Sequence, residues 1–205
     1  MTELDLLLKY REQHKQRLNY MPWLYYSLKP KNKVWAEQWQ QEYQDYLMAM
    51  ETVEIGQNCF ISPLAHIFAE PGRKIIIGDN TFIAADCTLH GPLEIGNEVA
   101  INHHCILDGG RAGIKLHDQV RIAAYCHLYA FDHGVDLAQP IYQQAVTSKG
   151  IEIGRDVWLG AHVGIKDGVN IADHAVIGMN SMVTKNVSER EIVAGNPARL
   201  IRLRD

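Results

Sequence analysis

The sequence predicts a three-sided parallel β-solenoid of about six coils, preceded by a helical arm. Three observations carry this prediction. An aliphatic residue recurs every six positions from residue 55. A small or β-branched residue stands four places after most of these aliphatics. Extra residues enter only between a third six-residue unit and the next first unit.

The six-residue phase runs Ile77, Ile83, Leu89, then Ile95, Ile101, Leu107, and returns at Leu116, Ile122, Leu128 and at Ile153, Leu159, Ile165. Such a period is the mark of a stacked repeat, in which no single unit can bury its own apolar side. The slot four places on holds Thr81, Val99, Val157, Val163 and Ala175, and also all four cysteines, Cys59, Cys87, Cys105 and Cys126. Cysteine in that slot reads as a small buried apolar group. The cysteines have no C-x-x-C spacing, so neither a disulfide framework nor a metal site is expected. Three units give an 18-residue coil, as from Ile77 to Ile95 and from Ile153 to Ile171. The intervals Ile55 to Ile77, Ile95 to Leu116 and Leu116 to Ile153 exceed it by 4, 3 and 19 residues. All three insertions therefore leave from one corner of a triangular coil.

Residues 1–50 form a separate helical arm, and residues 51–205 form the solenoid domain. Leu4, Leu7 and Leu8, and then Trp35, Trp39, Tyr43 and Leu47, fall at helical spacing. Pro22 and the stretch Lys29 to Asn32 read as breaks between two amphipathic helices. The aromatic stripe reads as a packing face against the solenoid or a neighbouring subunit.

The 205 residues carry a net charge of −4 with spread-out basic residues, which offers no extended footprint for nucleic acid. The run Leu6 to Leu8 is too short for a signal-peptide core or a transmembrane segment, so a cytoplasmic protein is expected.

The longest insertion, at about residues 129–150, holds Phe131-Asp132-His133-Gly134 and Gln139-Pro140-Ile141. A long excursion from a rigid scaffold is where function concentrates. It precedes Asp156-Val157-Trp158-Leu159-Gly160-Ala161-His162-Val163, and the chain ends with Val183-Thr184-Lys185 and Ala194-Gly195-Asn196-Pro197-Ala198-Arg199-Leu200-Ile201-Arg202. With Ile153-Gly154, these strings resemble the hexapeptide-repeat acetyltransferases of the galactoside and maltose acetyltransferase type, over residues 55–202.

That resemblance implies a left-handed β-helix, a homotrimer, and acetyl-CoA as acyl-donor cosubstrate with no metal. It places the catalytic histidine in the insertion, where His133 is the match. Chemically, a sugar hydroxyl is protonated at neutral pH, and an imidazole with an ordinary pKa of about 6.5 can take its proton as the oxygen attacks the thioester. Asp132 then either orients the ring or is a solvated loop acid. The resemblance also marks Asn102 and Asp108 as acceptor-binding candidates, although asparagine is equally at home as a corner residue. Trp158 either walls the active site between subunits or packs at a coil corner. Ala161 and Met179 are implied to line the pantetheine channel, and Thr184, Lys185 and Arg202 to meet the adenosine-phosphate end, where cations suit phosphates.

The expected reaction is O-acetylation of a saccharide hydroxyl, on a surface polysaccharide or its precursor. A small sugar or an antibiotic is the alternative acceptor. A carbonic-anhydrase-like zinc hydratase on the same scaffold is a rival, resting on Thr88-Leu89-His90-Gly91 but lacking a partner histidine five residues earlier. A noncatalytic binding module is the third reading, which would need neither the histidine loop nor the basic C-terminal string.

Overall fold

In the computed structural model, which describes residues 3–205, the hexads become a parallel solenoid of about six turns, a left-handed β-helix with a helical region before it. The first face stacks Val53–Ile55, Ile75–Ile77, Leu93–Ile95, Ile114–Leu116, Ile151–Ile153 and Asn170–Ile171 in coil order. The second face runs from Phe60–Ile61 to Val176–Ile177, and the third from His66–Phe68 to Met182–Val183. Register places like on like: Ile77 pairs with Ile95, Ile83 with Ile101 and Leu89 with Leu107. These aliphatics all point inward and are almost wholly buried. Each stabilises the fold by roughly 1.5–3 kcal/mol relative to leaving it in water.

The cysteines sit in the same interior as free thiols. Each Sγ lies against a backbone carbonyl of the next coil, as Cys59 to Gly78 O and Cys87 to Asn102 O, both 3.1 Å. Burial pushes the Cys59 thiol above its ordinary pKa, which suits a packing role.

Two of the three corners are tight, and the coils turn them through a left-handed residue, except at the second corner of the first coil. Asn58, Asn80, Glu98, Gln119, Asp156 and His174 do so at the first corner, and Asp86, His104, Tyr125, His162 and Asn180 at the second. None is β-branched, since such side chains are the ones that this conformation penalises most. Asx side chains bridge the coils at the first corner: Gln57 N–H donates to Asp79 Oδ1 (2.7 Å), Asp79 N–H to Asn97 Oδ1 (2.8 Å) and Asn97 N–H to Asp118 Oδ1 (2.8 Å). The third corner is open and releases the insertions.

Helix α1 (Glu3–Tyr20) ends before Pro22, which opens a 3-10 helix over Pro22–Ser27. The stretch at Lys29 to Asn32 does not act as a longer break. Pro30 is the first residue of α2 (Pro30–Met50), a position where its missing N–H costs nothing and its φ already suits the helix. The aromatic stripe of α2 packs as expected: the Trp39 ring lies 5.9 Å from Phe60, and Tyr43 and Leu47 meet the solenoid core. Leu4 and Leu7 of α1 are exposed instead.

Helix α2 also closes the open edge of the first coil. Ile61 N–H donates to Gln40 Oε1 (2.8 Å), Gln40 Nε2 donates to Ile61 O (3.1 Å), and Gln44 Nε2 donates to Cys59 O (2.9 Å). A sheet edge left bare would template pairing with another chain. At the other end, Glu191–Ala194 and Arg199–Leu203 form an antiparallel pair that finishes the second face. Arg204 anchors it by donating to Asp156 Oδ2 (2.9 Å). Replacing Gln40, which is buried, by Leu orphans the Ile61 amide and carbonyl. Gln40→Leu is expected to lower unfolding free energy by about 2–4 kcal/mol in urea titrations; a loss below about 0.5 kcal/mol would mean the edge is satisfied in another way.

Candidate active site

The third face carries a groove beside the long insertion. Along its strands the inward residues Leu128, Ile165 and Val183 are buried, and the residues beside them point out. One outward row reads His127, Gly164, Met182 across three successive coils. The Met182 thioether lies over Gly164, where a Cβ would stand 2.7 Å from its Cε, so the glycine makes room for that side chain. These residues border a groove of about 540 Å³, within the range of ligand sites. One wall is His127, Tyr129 and Phe131; the other is Met182, Thr184 and Asn196. The second-corner residues Tyr125 and His162, stacked with ring centroids 4.8 Å apart, flank it.

The long insertion rises from the end of this groove. Asp132–His133 pairs antiparallel with Val146–Thr147, giving the loop a two-stranded stem. Ser148 Oγ accepts from the Arg111 and Ala112 amides (3.0 and 2.9 Å) and donates to Ala130 O. Asp167, buried beneath the stem, accepts from the Lys149 and Gly150 amides (2.8 and 2.9 Å). Gln144 knits the tip, accepting from Asp136 N–H (2.9 Å) and donating to Asp136 O and Gln139 O (both 2.8 Å). A long loop is thus held by buried polar groups at both ends.

His133 is exposed on this stem, its ring 6.5 Å from that of Phe131 at the groove's rim. Among the described residues its imidazole has no hydrogen-bond partner, so both nitrogens are open to a ligand. The neighbouring Asp132 does not orient it. Its carboxylate turns to Lys166 Nζ (2.9 Å), and this contact holds the lysine's pKa above its ordinary value.

The other candidates distribute as follows. Thr184 lines the groove, and Lys185 follows it, exposed. Ala161 and Met179 occupy the second corner on adjacent coils, with Asn180 N–H donating to Ala161 O (2.9 Å). Asp108 lies on the third face beside Tyr129, but its carboxylate faces His90 (3.3 Å), Arg73 (3.8 Å) and the Gly110 amide (3.0 Å). Asn102 lies away from the groove, in a hollow on the second face with Trp23, Tyr26 and Arg121, and donates to Ile122 O (2.8 Å). Trp158 is exposed on the second face between Arg121 and Val176, and Arg202 extends that face on the C-terminal strand. His133 and Trp158 therefore stand on different faces of one protomer. His90 is engaged by Glu70 (3.2 Å) as well as Asp108, and no group of three His, Cys, Asp or Glu among the described residues could hold a metal ion.

Sequence reasoning passed over Tyr125, His127, Tyr129, Lys166 and Met182. The signal was present for three of them, because His127 and Tyr129 flank the inward Leu128 and Met182 precedes the inward Val183.

Comparison with known proteins matches this architecture. The bacterial transferase hexapeptide (six repeats) family matches residues 150–185, and the hexapeptide repeat of succinyl-transferase matches residues 74–102. A chloramphenicol acetyltransferase of Agrobacterium fabrum is 50% identical over 164 residues, covering 72% of this chain and 78% of the relative. The chain belongs to the hexapeptide-repeat acetyltransferase family. The galactoside O-acetyltransferase of Escherichia coli is 30% identical over 150 residues, 72% of this chain and 62% of the relative. Among solved structures, a mutant of AntD, an N-acyltransferase from Bacillus cereus in complex with dTDP and coenzyme A, superposes with a TM-score of 0.70 at 27% identity, covering 79% of this chain and 89% of AntD. The chain spans about half the length of two of the curated relatives that it matches. No helix of the described residues is long and apolar enough to cross a membrane.

In this family member the Asp132–Lys166 pair fastens the histidine-bearing stem to the coil below. On the expectation that His133 acts in turnover, Lys166→Met should lower turnover about tenfold by misplacing it, while the Michaelis constant for the acyl donor stays within about twofold. Lys166→Arg should restore most of the turnover. Steady-state kinetics check this; an unchanged turnover in Lys166→Met would show that the pair does not position the stem.

Proposed function

We propose that the chain transfers an acetyl group from acetyl-CoA to a saccharide hydroxyl, on a surface polysaccharide or its precursor, with His133 as general base. The observation that carries this reading is the third-face groove, which runs from the Thr184 and Asn196 end to Phe131 and Asp132, the residues just before the histidine on the insertion. Coenzyme A in complexes of the neighbour AntD, and the galactoside acceptor in the name of the Escherichia coli relative, support an acyl-CoA donor and a sugar acceptor.

In this mechanism the donor's pantetheine arm lies along Gly164, Ala161 and Met179, and its phosphates meet Thr184, Lys185 and Arg202. The neutral His133 imidazole takes the proton of the acceptor hydroxyl as that oxygen bonds to the thioester carbonyl carbon. The tetrahedral oxyanion collapses, the carbon–sulfur bond breaks, and the departing thiolate takes the proton back from the imidazolium. The products are an acetyl ester and free coenzyme A.

The working unit in this proposal is a homotrimer. Lys185 lies beyond the third face and Arg202 on the second, so one protomer turns them apart, as it does His133 and Trp158. Setting the second face of one protomer against the third face of the next brings each pair to a shared cleft. Asn102 and Asp108 are then the acceptor-binding candidates from the two sides. A second reading, an antibiotic hydroxyl as acceptor, is favoured by the 50% identity to the chloramphenicol acetyltransferase.

His133→Ala is expected to lose about two to four orders of magnitude in turnover, the range for removing a general base, while thermal unfolding and coenzyme A binding stay near those of the unaltered protein. Acetyl transfer from labelled acetyl-CoA to a panel of saccharides and chloramphenicol measures this. Retention of more than about a tenth of the turnover would remove His133 from the role of base.

A further inference from the structure

The helical arm holds a second groove, of about 670 Å³, between α1 and the segment running from the 3-10 helix into α2. Four cationic side chains line it, Arg11, Arg17, Lys29 and Lys31, and no carboxylate does. The chain as a whole carries a net charge of −4, so this is a local reversal of sign. Of the three other cations on the arm, Lys15 pairs with Glu12 (2.9 Å) and Lys33 with Glu37 (3.4 Å), and Lys9 has no ion pair among the described residues. None of the ion pairs among the described residues involves the four groove cations. Arg17 spends one N–H on Gln13 O (3.2 Å), and Arg11 lies over the Trp35 ring at 5.7 Å.

The remaining lining is aromatic and apolar. Trp35 is half-buried, Tyr10 is exposed, and the His14 ring stands 6.3 Å from that of Trp35. Aromatic faces accept the C–H face of a sugar ring as apolar surface, while guanidinium and ammonium groups bind carboxylate or phosphate oxygens. A ligand that satisfies both is a saccharide bearing negative charge. The groove's volume suits a small ligand or a short stretch of a chain.

We infer that this groove binds an anionic saccharide, carboxylated or phosphorylated, and so holds a segment of the acceptor away from the acetylation site. The inference rests on the reading of the acceptor as a saccharide and narrows it to an acidic one.

Isothermal titration of the full-length protein with trigalacturonate, glucose 1,6-bisphosphate and neutral maltotriose tests this. Saturable binding of at least one anionic probe is expected, about tenfold or more tighter than maltotriose and weakening as salt rises. Binding of only one of the two identifies the carboxylate or the phosphate as the recognised group. The triple variant Arg11→Gln, Lys29→Gln, Lys31→Gln, all exposed positions, should weaken that binding about tenfold and leave acetyl transfer to a small neutral acceptor unchanged. Absence of binding by both anions, equal binding of maltotriose, or an unaltered affinity in the triple variant would overturn the inference. Tighter binding of a short oligothymidylate would overturn it as well. Titration is independent of turnover: anion binding without acetyl transfer would refute only the enzymatic reading, and transfer without anion binding only the groove.

Discussion

Each inward aliphatic of one coil rests on its counterpart in the next, and the backbone hydrogen bonds between coils lock that register. Both depend on a coil perimeter that does not change. A shift by one residue would send the interior row outward and the corner residues out of their left-handed conformation. Insertions are therefore tolerated only where the chain is neither in a strand nor in a tight corner, and the third corner is the one place that meets both conditions. That is why a loop of some twenty residues can interrupt the solenoid without disturbing Ile153, Leu159 or Ile165, which stay buried.

The same constraint places the chemistry. With the interior committed to Ile, Val, Leu and Cys, only outward positions and the insertion can face a ligand. The strands after the insertion continue the third face directly beneath it, so the histidine-bearing stem and the outward row His127, Gly164, Met182 become neighbours. The acidic and amide residues of the loop serve this arrangement. Asp167 and Ser148 fix its base, Gln144 its tip, and Lys166 clamps Asp132 beside the catalytic candidate. The flat second and third faces also explain why one protomer separates residues that a shared cleft would unite.

Much of this was legible in the sequence because a six-residue period survives every interruption. The hexads gave the three faces and the long insertion gave the loop, whose Phe131 and Asp132, just before the histidine, line the groove. What escaped were interactions between residues distant in sequence and unmarked by pattern. Gln40 and Gln44 read as ordinary polar positions on a helix, yet they satisfy the edge of the first coil at Ile61 and Cys59. Lys166 looks like any surface lysine until the stem brings Asp132 over it. Pro30 reads as a break in the sequence, which does not say on which side of a proline a helix lies. Leu4, Leu7 and Leu8 have helical spacing without a partner surface, so periodicity alone could not predict their exposure, while Leu18 further along α1 is buried.

In the proposed mechanism the third-face groove receives the acyl donor. Amide hydrogen exchange with and without coenzyme A tests it most directly. Binding should slow exchange across residues 179–185 and 194–198, which border the groove, and leave the first face at residues 114–116 unchanged. Protection confined to the first face, or none at saturating coenzyme A, would contradict the account.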